Sequence, residues 1–255
     1  MSEDPSDRFA SLVGSGGVDV PLDEAVLLVA AHADPDLDLA QQLRRLDDLA
    51  AGVAAPSIDA LRTRLVDDLG FAGDHLGYHD PRNSLLPAVL DRRRGIPLTL
   101  AIVAIEVGRR CGVPLVGIGM PGHFLVRGTN QPDSFVDLFD GGVELDVSGC
   151  RSIFETLHAG VAWDSRYLEP VDNLLIVARL LANLANAYRR SGDAKALAWA
   201  IELRLRLPGA TQRDRRELAL LLGAAGRYDE AAAHLEATGV DQDDRMAARL
   251  RARLN

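Results

Sequence analysis

Lysine is nearly absent from this 255-residue chain: Lys195 stands alone beside 27 arginines. Because Ala194 precedes it, there is no Gly-Lys-Ser/Thr phosphate-binding loop. Cysteine is scarce too. Cys111 and Cys150 are the only two, too few for a disulfide framework or a cysteine-based zinc site. A His-Glu-x-x-His helix and a Gly-x-Ser-x-Gly elbow are also missing, which removes two common hydrolase signatures. No apolar run reaches eighteen residues without a charge, so neither a spanning helix nor a membrane partner is expected. A basic surplus is lacking as well. The net charge is −9, and residues 1–75 hold fifteen acids against five bases. That acidic front argues against a nucleic-acid partner. Residues 1–17 are acidic and small, with no basic stretch leading into an apolar one. They read as a flexible acidic tail, not a secretory signal, and a cytoplasmic location is expected.

What is present divides into three regions, with boundaries expected near residues 17 and 170. From Pro21 to Gly70 the pattern is helical. Leu22, Ala25, Val26 and Val29 share one face, with Asp23 and Glu24 in the first turn, where carboxylates suit the helix dipole. Asp34–Pro35 is expected to stop this helix and start the next. Leu39, Leu43, Leu46, Leu49 and Val53 form a second apolar stripe, and Ser57 is a candidate cap for a third helix ending at Gly70.

The central region changes period. A turn-rich stretch from Gly73 to Asn83 leads to a short helix near Leu85–Arg92. Pro97 then opens an apolar helix, Leu98–Arg110, closed by Arg109, Arg110 and Gly112. Strand-like runs follow at Leu115–Met120, His123–Arg127, Ser134–Phe139 and Val143–Val147, with Gly, Pro, Asn and Asp between them. A helix followed by an antiparallel meander makes the fold class α+β. From Val171 to Asn255 the chain is helical again. Leu184–Ala185–x–x–Tyr188–x–x–x–Gly192 returns thirty-four residues later as Leu218–Ala219–x–x–Leu222–x–x–x–Gly226, the period of tetratricopeptide-like helical hairpins.

Chemistry concentrates between Gly95 and Gly142. With the hairpin midpoint near Asn130, His123 and Asp137 fall opposite one another on one face. Opposed Cβ atoms lie about 4.5–5.5 Å apart, so a carboxylate–imidazole bond is feasible, catalytic or structural. Such a pair orients an imidazole as in a nucleophilic triad. The preceding helix should present the nucleophile, since a helix N-terminus favours a thiolate. Ile96, Pro97, Leu98 and Thr99 stand there instead. Thr99 has a hydroxyl, better suited to capping than to attack. Ser84 beside Asn83, and Cys150 beyond the fourth strand, are further candidates. His75 and His79 are four apart, but Gly77 and Asp80–Pro81 disfavour a helix there, and neither a metal site nor a cofactor is expected. The run Arg92–Arg93–Arg94 is solvated or grips a carboxylate or phosphate.

Four ordered motifs carry a resemblance. Tyr78–x–Asp80–Pro81–x–Asn83–Ser84–x–Leu86, Arg93–Arg94–Gly95–Ile96–Pro97–Leu98–Thr99–Leu100, Pro121–Gly122–His123–Phe124–Leu125–Val126–Arg127 and Val136–Asp137–Leu138–Phe139–Asp140–Gly141–Gly142 resemble the SirB-type family. The resemblance implies a papain/transglutaminase-like core followed by tetratricopeptide-like helices. It implies that His123 and Asp137 are the His and Asp of a transglutaminase triad, with the cysteine position falling on Pro97–Thr99, where this chain departs. Tyr78, Asn83, Ser84, Arg94 and Arg127 are the candidate binding residues within these motifs.

Two functions are then expected as alternatives. One is a transglutaminase-like module without its cysteine, binding or regulating a protein partner through the C-terminal helices. The other is a cysteine-independent hydrolase or acyltransferase acting on amides or esters through His123, Asp137 and a hydroxyl such as Thr99 or a water. A small-molecule or peptide ligand near His123 is compatible with either.

Overall fold

The computed structural model describes residues 4–14, 20–207 and 209–253. The chain forms two compact units, one of residues 17–180 and one of residues 1–16 with 181–255. The fold class is α+β.

After α1 (Pro5–Gly14), which belongs to the smaller unit, α2 (Leu22–Ala30) and α3 (Leu39–Ala51) of the larger unit follow the apolar stripes of the sequence. Asp34–Pro35 does not join them directly. The cap of α3 is Asp38, whose carboxylate accepts from Gln41 N at 2.9 Å, and residues 31–38 form the connection. Ser57 caps α4 (Ile58–Arg62), accepting from Ala60 N, and the helix widens into a π turn over Thr63–Asp68. Two short strands, β1 (Ala72–Gly73) and β2 (Arg94–Gly95), pair in parallel around α5 (Leu86–Arg92).

The central helix α6 (Pro97–Arg110) is buried from Pro97 to Gly108. It packs against α2, α3, α4 and α5, and against β3 (Leu115–Ile118) and β4 (Leu125–Gly128). Apolar residues all round suit a helix enclosed on every side. Its polar end is neutralised internally. Glu106 and Asp23, both buried, receive Arg109 and Arg110, with Arg110 Nη2 to Asp23 Oδ2 at 2.5 Å and Arg110 Nη1 to Glu106 Oε2 at 2.7 Å. The meander continues through β5 (Phe135–Asp137) and β6 (Val143–Leu145) to α7 (Val147–Leu157). Strand β7 (Pro170–Val171) then pairs with β3, giving the order β6-β5-β4-β3-β7. Ile118, Met120, Leu125, Phe135, Cys150 and Phe154 form the core between sheet and α7.

The division falls ten residues beyond the boundary expected at 170. The cause is packing: β7 completes the sheet, and the first turns of α8 (Asn173–Ser191) bury Ile176 and Val177, while Asn173 Nδ2 donates to Val20 O. The smaller unit holds the rest of α8, α9 (Ala194–Arg204), α10 (Gln212–Ala224), α11 (Tyr228–Glu236) and α12 (Asp241–Arg251). Positions of the thirty-four-residue echo play matched parts. Leu184 and Leu218 are buried, as are Ala185 and Ala219, and Gly192 and Gly226 both take positive φ after their helices, the conformation that glycine reaches without a Cβ penalty.

The flexible acidic tail is a correction. Residues 5–14 form α1 (Pro5–Gly14), which buries Phe9 and Val13 and packs on α9. Two apolar residues four apart gain enough from burial to order one short helix. Residues 1–3 and 15–17 of that stretch lie outside the described residues. Among the described residues no helix is long and apolar enough to cross a membrane.

Candidate functional site

His123 is set by its backbone before any side chain acts. Met120–Pro121–Gly122–His123 is a tight turn closed by His123 N to Met120 O at 3.1 Å, with Gly122 at φ +76. Pro then Gly at the two central positions is the type II preference. Arg179 of α8 clamps this turn: its Nη2 donates to Met120 O at 3.0 Å and to His123 O at 2.7 Å, and its guanidinium lies 5.2 Å from the Phe124 ring centroid.

The imidazole Nε2–H donates to Asp137 Oδ2 at 2.6 Å. Asp137 is itself fixed, since its Oδ1 accepts from Phe139 N at 3.0 Å and Asp140 N at 3.3 Å. The pairing is diagonal and not directly opposed. Val126 stands opposite Val136, which moves the hairpin midpoint to residue 131 and sets Asp137 across from Leu125. His123 precedes β4 and reaches back one pleat, a separation that long side chains span. With Nε2 committed, Nδ1 is the nitrogen left to accept a proton. It has no partner, yet is not among the enclosed, unpartnered side-chain atoms of the described residues, which are Arg64 Nε, Arg127 Nε and His158 Nε2.

An aromatic wall backs the pair. Phe139 lies edge-on to His123 at 6.3 Å and to Tyr78 at 5.9 Å, and His75 packs on the same ring at 4.4 Å. Gly73 makes room for it: a Cβ there would stand 2.6 Å from both the Phe139 ring and its carbonyl oxygen. Tyr78 is 40% exposed and Leu76 beside it fully so.

The hydroxyl and thiol groups are engaged otherwise. Thr99 Oγ1 donates to Asn83 O at 2.6 Å and accepts from Ile96 N at 3.2 Å, so it ties the start of α6 to the turn before α5. Cys150 is buried in the core on α7; burial, with the charges of Asp146 and Asp137, pushes its thiol up to about 12. Burial also raises the Cys111 thiol, at the far end of α6. Ser84 is buried at the end of the Pro81–Ser84 turn.

Of the candidate binding residues, only Tyr78 shares the aromatic wall with His123. Asn83 is buried with its amide consumed: Nδ2 donates to Asp74 Oδ2 and Gly77 O, and Oδ1 accepts from Arg92 Nη1. Arg94 donates to Gly70 O, and Arg127 to Pro132 O near the hairpin tip. In the basic run, Arg93 and Arg94 are exposed, with Arg93 donating to Leu69 O, while the half-buried Arg92 pairs with Asp74 at 3.0 Å. Sequence reasoning missed Arg179. Its one signal was a lone cation inside the apolar run Leu174–Leu181.

Residues 28–182, more than half of the chain, match the transglutaminase-like superfamily. A UPF0162 protein of Xylella fastidiosa (strain Temecula1) is 38% identical over 185 residues, covering 66% of this chain and 65% of its own. A UPF0162 protein of Pseudomonas aeruginosa is 35% identical over 182 residues, covering 68% and 67%. F-box only protein 21 of Mus musculus is 28% identical over 144 residues, 53% of this chain and 22% of that protein. The chain thus spans just under two thirds of the length of the Xylella relative. No solved structure matches it significantly. The match takes in α6 and the meander that carries His123 and Asp137, and this chain belongs to the transglutaminase-like superfamily, alongside the UPF0162 proteins.

Proposed function

We propose that this chain is a binding or regulatory module of the transglutaminase-like superfamily that works without a cysteine nucleophile, as its SirB-type motifs suggest. The observation that carries the reading is the state of Thr99. Its hydroxyl stands at the start of α6, where a transglutaminase-like triad would place its thiol, and both its hydrogen-bonding directions are spent on backbone. An engaged, buried, β-branched hydroxyl is a poor nucleophile. The raised Cys150 thiol supports the same reading, because attack needs the thiolate. On this reading the chain acts in the cytoplasm. The tetratricopeptide-like helices of the smaller unit carry a protein partner, and the region around His123 takes a peptide or small ligand.

The test is trapping with fluorophosphonates, chloroacetamides and vinyl sulfones, followed by intact mass and peptide mapping, beside His123→Ala. No His123-dependent adduct is expected. An adduct on Thr99, Ser84 or Cys150 that vanishes in His123→Ala overturns the reading. A second reading draws on the 2.6 Å His123–Asp137 bond and the free Nδ1: hydrolysis of an amide or ester by a water that His123 deprotonates. It requires turnover of a p-nitrophenyl ester that is lost in His123→Ala without any adduct.

A further inference from the structure

Arg179 differs from Arg110 and Arg92, two arginines held by carboxylates. Arg110 meets Asp23, Asp47 and Glu106, and Arg92 meets Asp74. Arg179 meets no carboxylate among the described residues, although burial is strong enough to lower its pKa. Its Nη2 is spent on the carbonyls of Met120 and His123, while Nε and Nη1 have no partner and are not enclosed. Tyr78 lies within its electrostatic reach, and burial raises the phenol. A half-buried cation with no counter-ion and two open donor groups suits an incoming anion.

We propose that Arg179, Tyr78 and His123 Nδ1 form a subsite for the carboxylate of a peptide, with an apolar residue beside that carboxylate. This rests on the reading that the His123 region binds a ligand. One cation matches one negative charge. A polyphosphate would need more donors and would face Asp137 and Asp140 as well. Tyr78, Phe139 and the exposed Leu76 give the apolar neighbour a surface. The imidazole, whose Nε2 Asp137 holds, turns its unpartnered Nδ1 to the same ligand.

The probes are acetyl-phenylalanine, acetyl-phenylalaninamide and acetyl-glutamic acid α-amide, titrated into the full chain and followed by the His123 ring signals in NMR. The acid is expected to bind and shift those signals, with the neutral amide about tenfold weaker, as one lost charge-assisted contact predicts. Arg179→Gln abolishes that preference. Should Arg179→Gln unfold, Tyr78→Phe and a rise in salt from about 0.05 to about 0.5 M carry the test, each lowering the preference for the acid. Terminal acid above side-chain acid is expected; the reverse overturns the apolar neighbour, which acetyl-glutamic acid α-amide lacks. Equal binding of acid and amide, or binding of neither, overturns it, as does a preference that survives Arg179→Gln. His123-dependent labelling by electrophiles would overturn the non-catalytic reading and leave the subsite standing.

Discussion

Asp137 holds His123 by one carboxylate oxygen and two backbone N–H groups by the other, so a single buried side chain fixes both the imidazole and the turn that starts the aromatic wall. Asp137→Ala removes all three bonds and leaves the His123 and Phe139 donors buried, which costs about 3 kcal/mol. Asp137→Asn keeps an acceptor and costs less. Urea unfolding of both variants checks the ranking. Equal stability of wild type and Asp137→Ala would show that the carboxylate anchors nothing.

Thr99 makes a complementary case. Thr99→Val preserves shape but strands Asn83 O and Ile96 N, for an expected loss of about 2 kcal/mol. Thr99→Ser keeps the hydroxyl and stays within about 1 kcal/mol of wild type. If Val and Ser variants unfold at the same urea concentration, the hydroxyl has no structural duty and its chemistry is open again.

Gly73→Ala drives a Cβ to within 2.6 Å of the Phe139 ring and carbonyl. Overpacking of this kind costs about 1–3 kcal/mol, and here it displaces the ring that lies edge-on to His123. The aromatic signals of Phe139 and His123 should move together in NMR. A shift confined to Phe139 would separate the two rings.

Acid stability turns on the end of α6. Burial pushes Asp23 up, but hydrogen bonds from Arg110 and the Glu24 N–H, with the charges of Arg110 and Arg109, bring it below its ordinary 3.8. Glu106 is raised above 4.5, first by burial and then by the charge of Asp23. The depressed Asp23 therefore contributes stability that is present above 3.8 and lost as pH falls through its folded value. Glu106 has the opposite sign: its contribution is full below 4.5 and fades as pH rises through its folded value. Asp23→Asn should narrow its gap to wild type on acidification from about pH 5 to about pH 3. Glu106→Gln should gain on wild type as pH rises above 4.5. Urea midpoints across that range decide both, and a flat Asp23→Asn gap rules out its half.

Local pattern revealed most of the scaffold. Period 3.6 marked α3 and α6, and turn residues separated the four strands of the meander, because those signals sit within a few residues of what they cause. The candidate site was legible only as a pair. His123 and Asp137 were placed on one face, but register rests on loop geometry, and the hairpin is offset so that they meet diagonally. Arg179 showed only as a lone cation in an apolar run, and its role was hidden because its partners lie 56 and 59 residues away. Strand β7 has two residues, and α1 has two buried side chains. Each gains its stability from a distant partner, which no local window contains.

The basic run also has a bearing on proteolysis. Arg92, Arg93 and Arg94 are three consecutive trypsin sites. In the folded chain their guanidinium groups hold Asp74, Leu69 O and Gly70 O, and Arg93 O also accepts from Ala72 N. Cleavage needs an extended, released segment, so these sites open only when the start of α6 comes apart. A tryptic cut between 92 and 95 is thus a gauge of core opening.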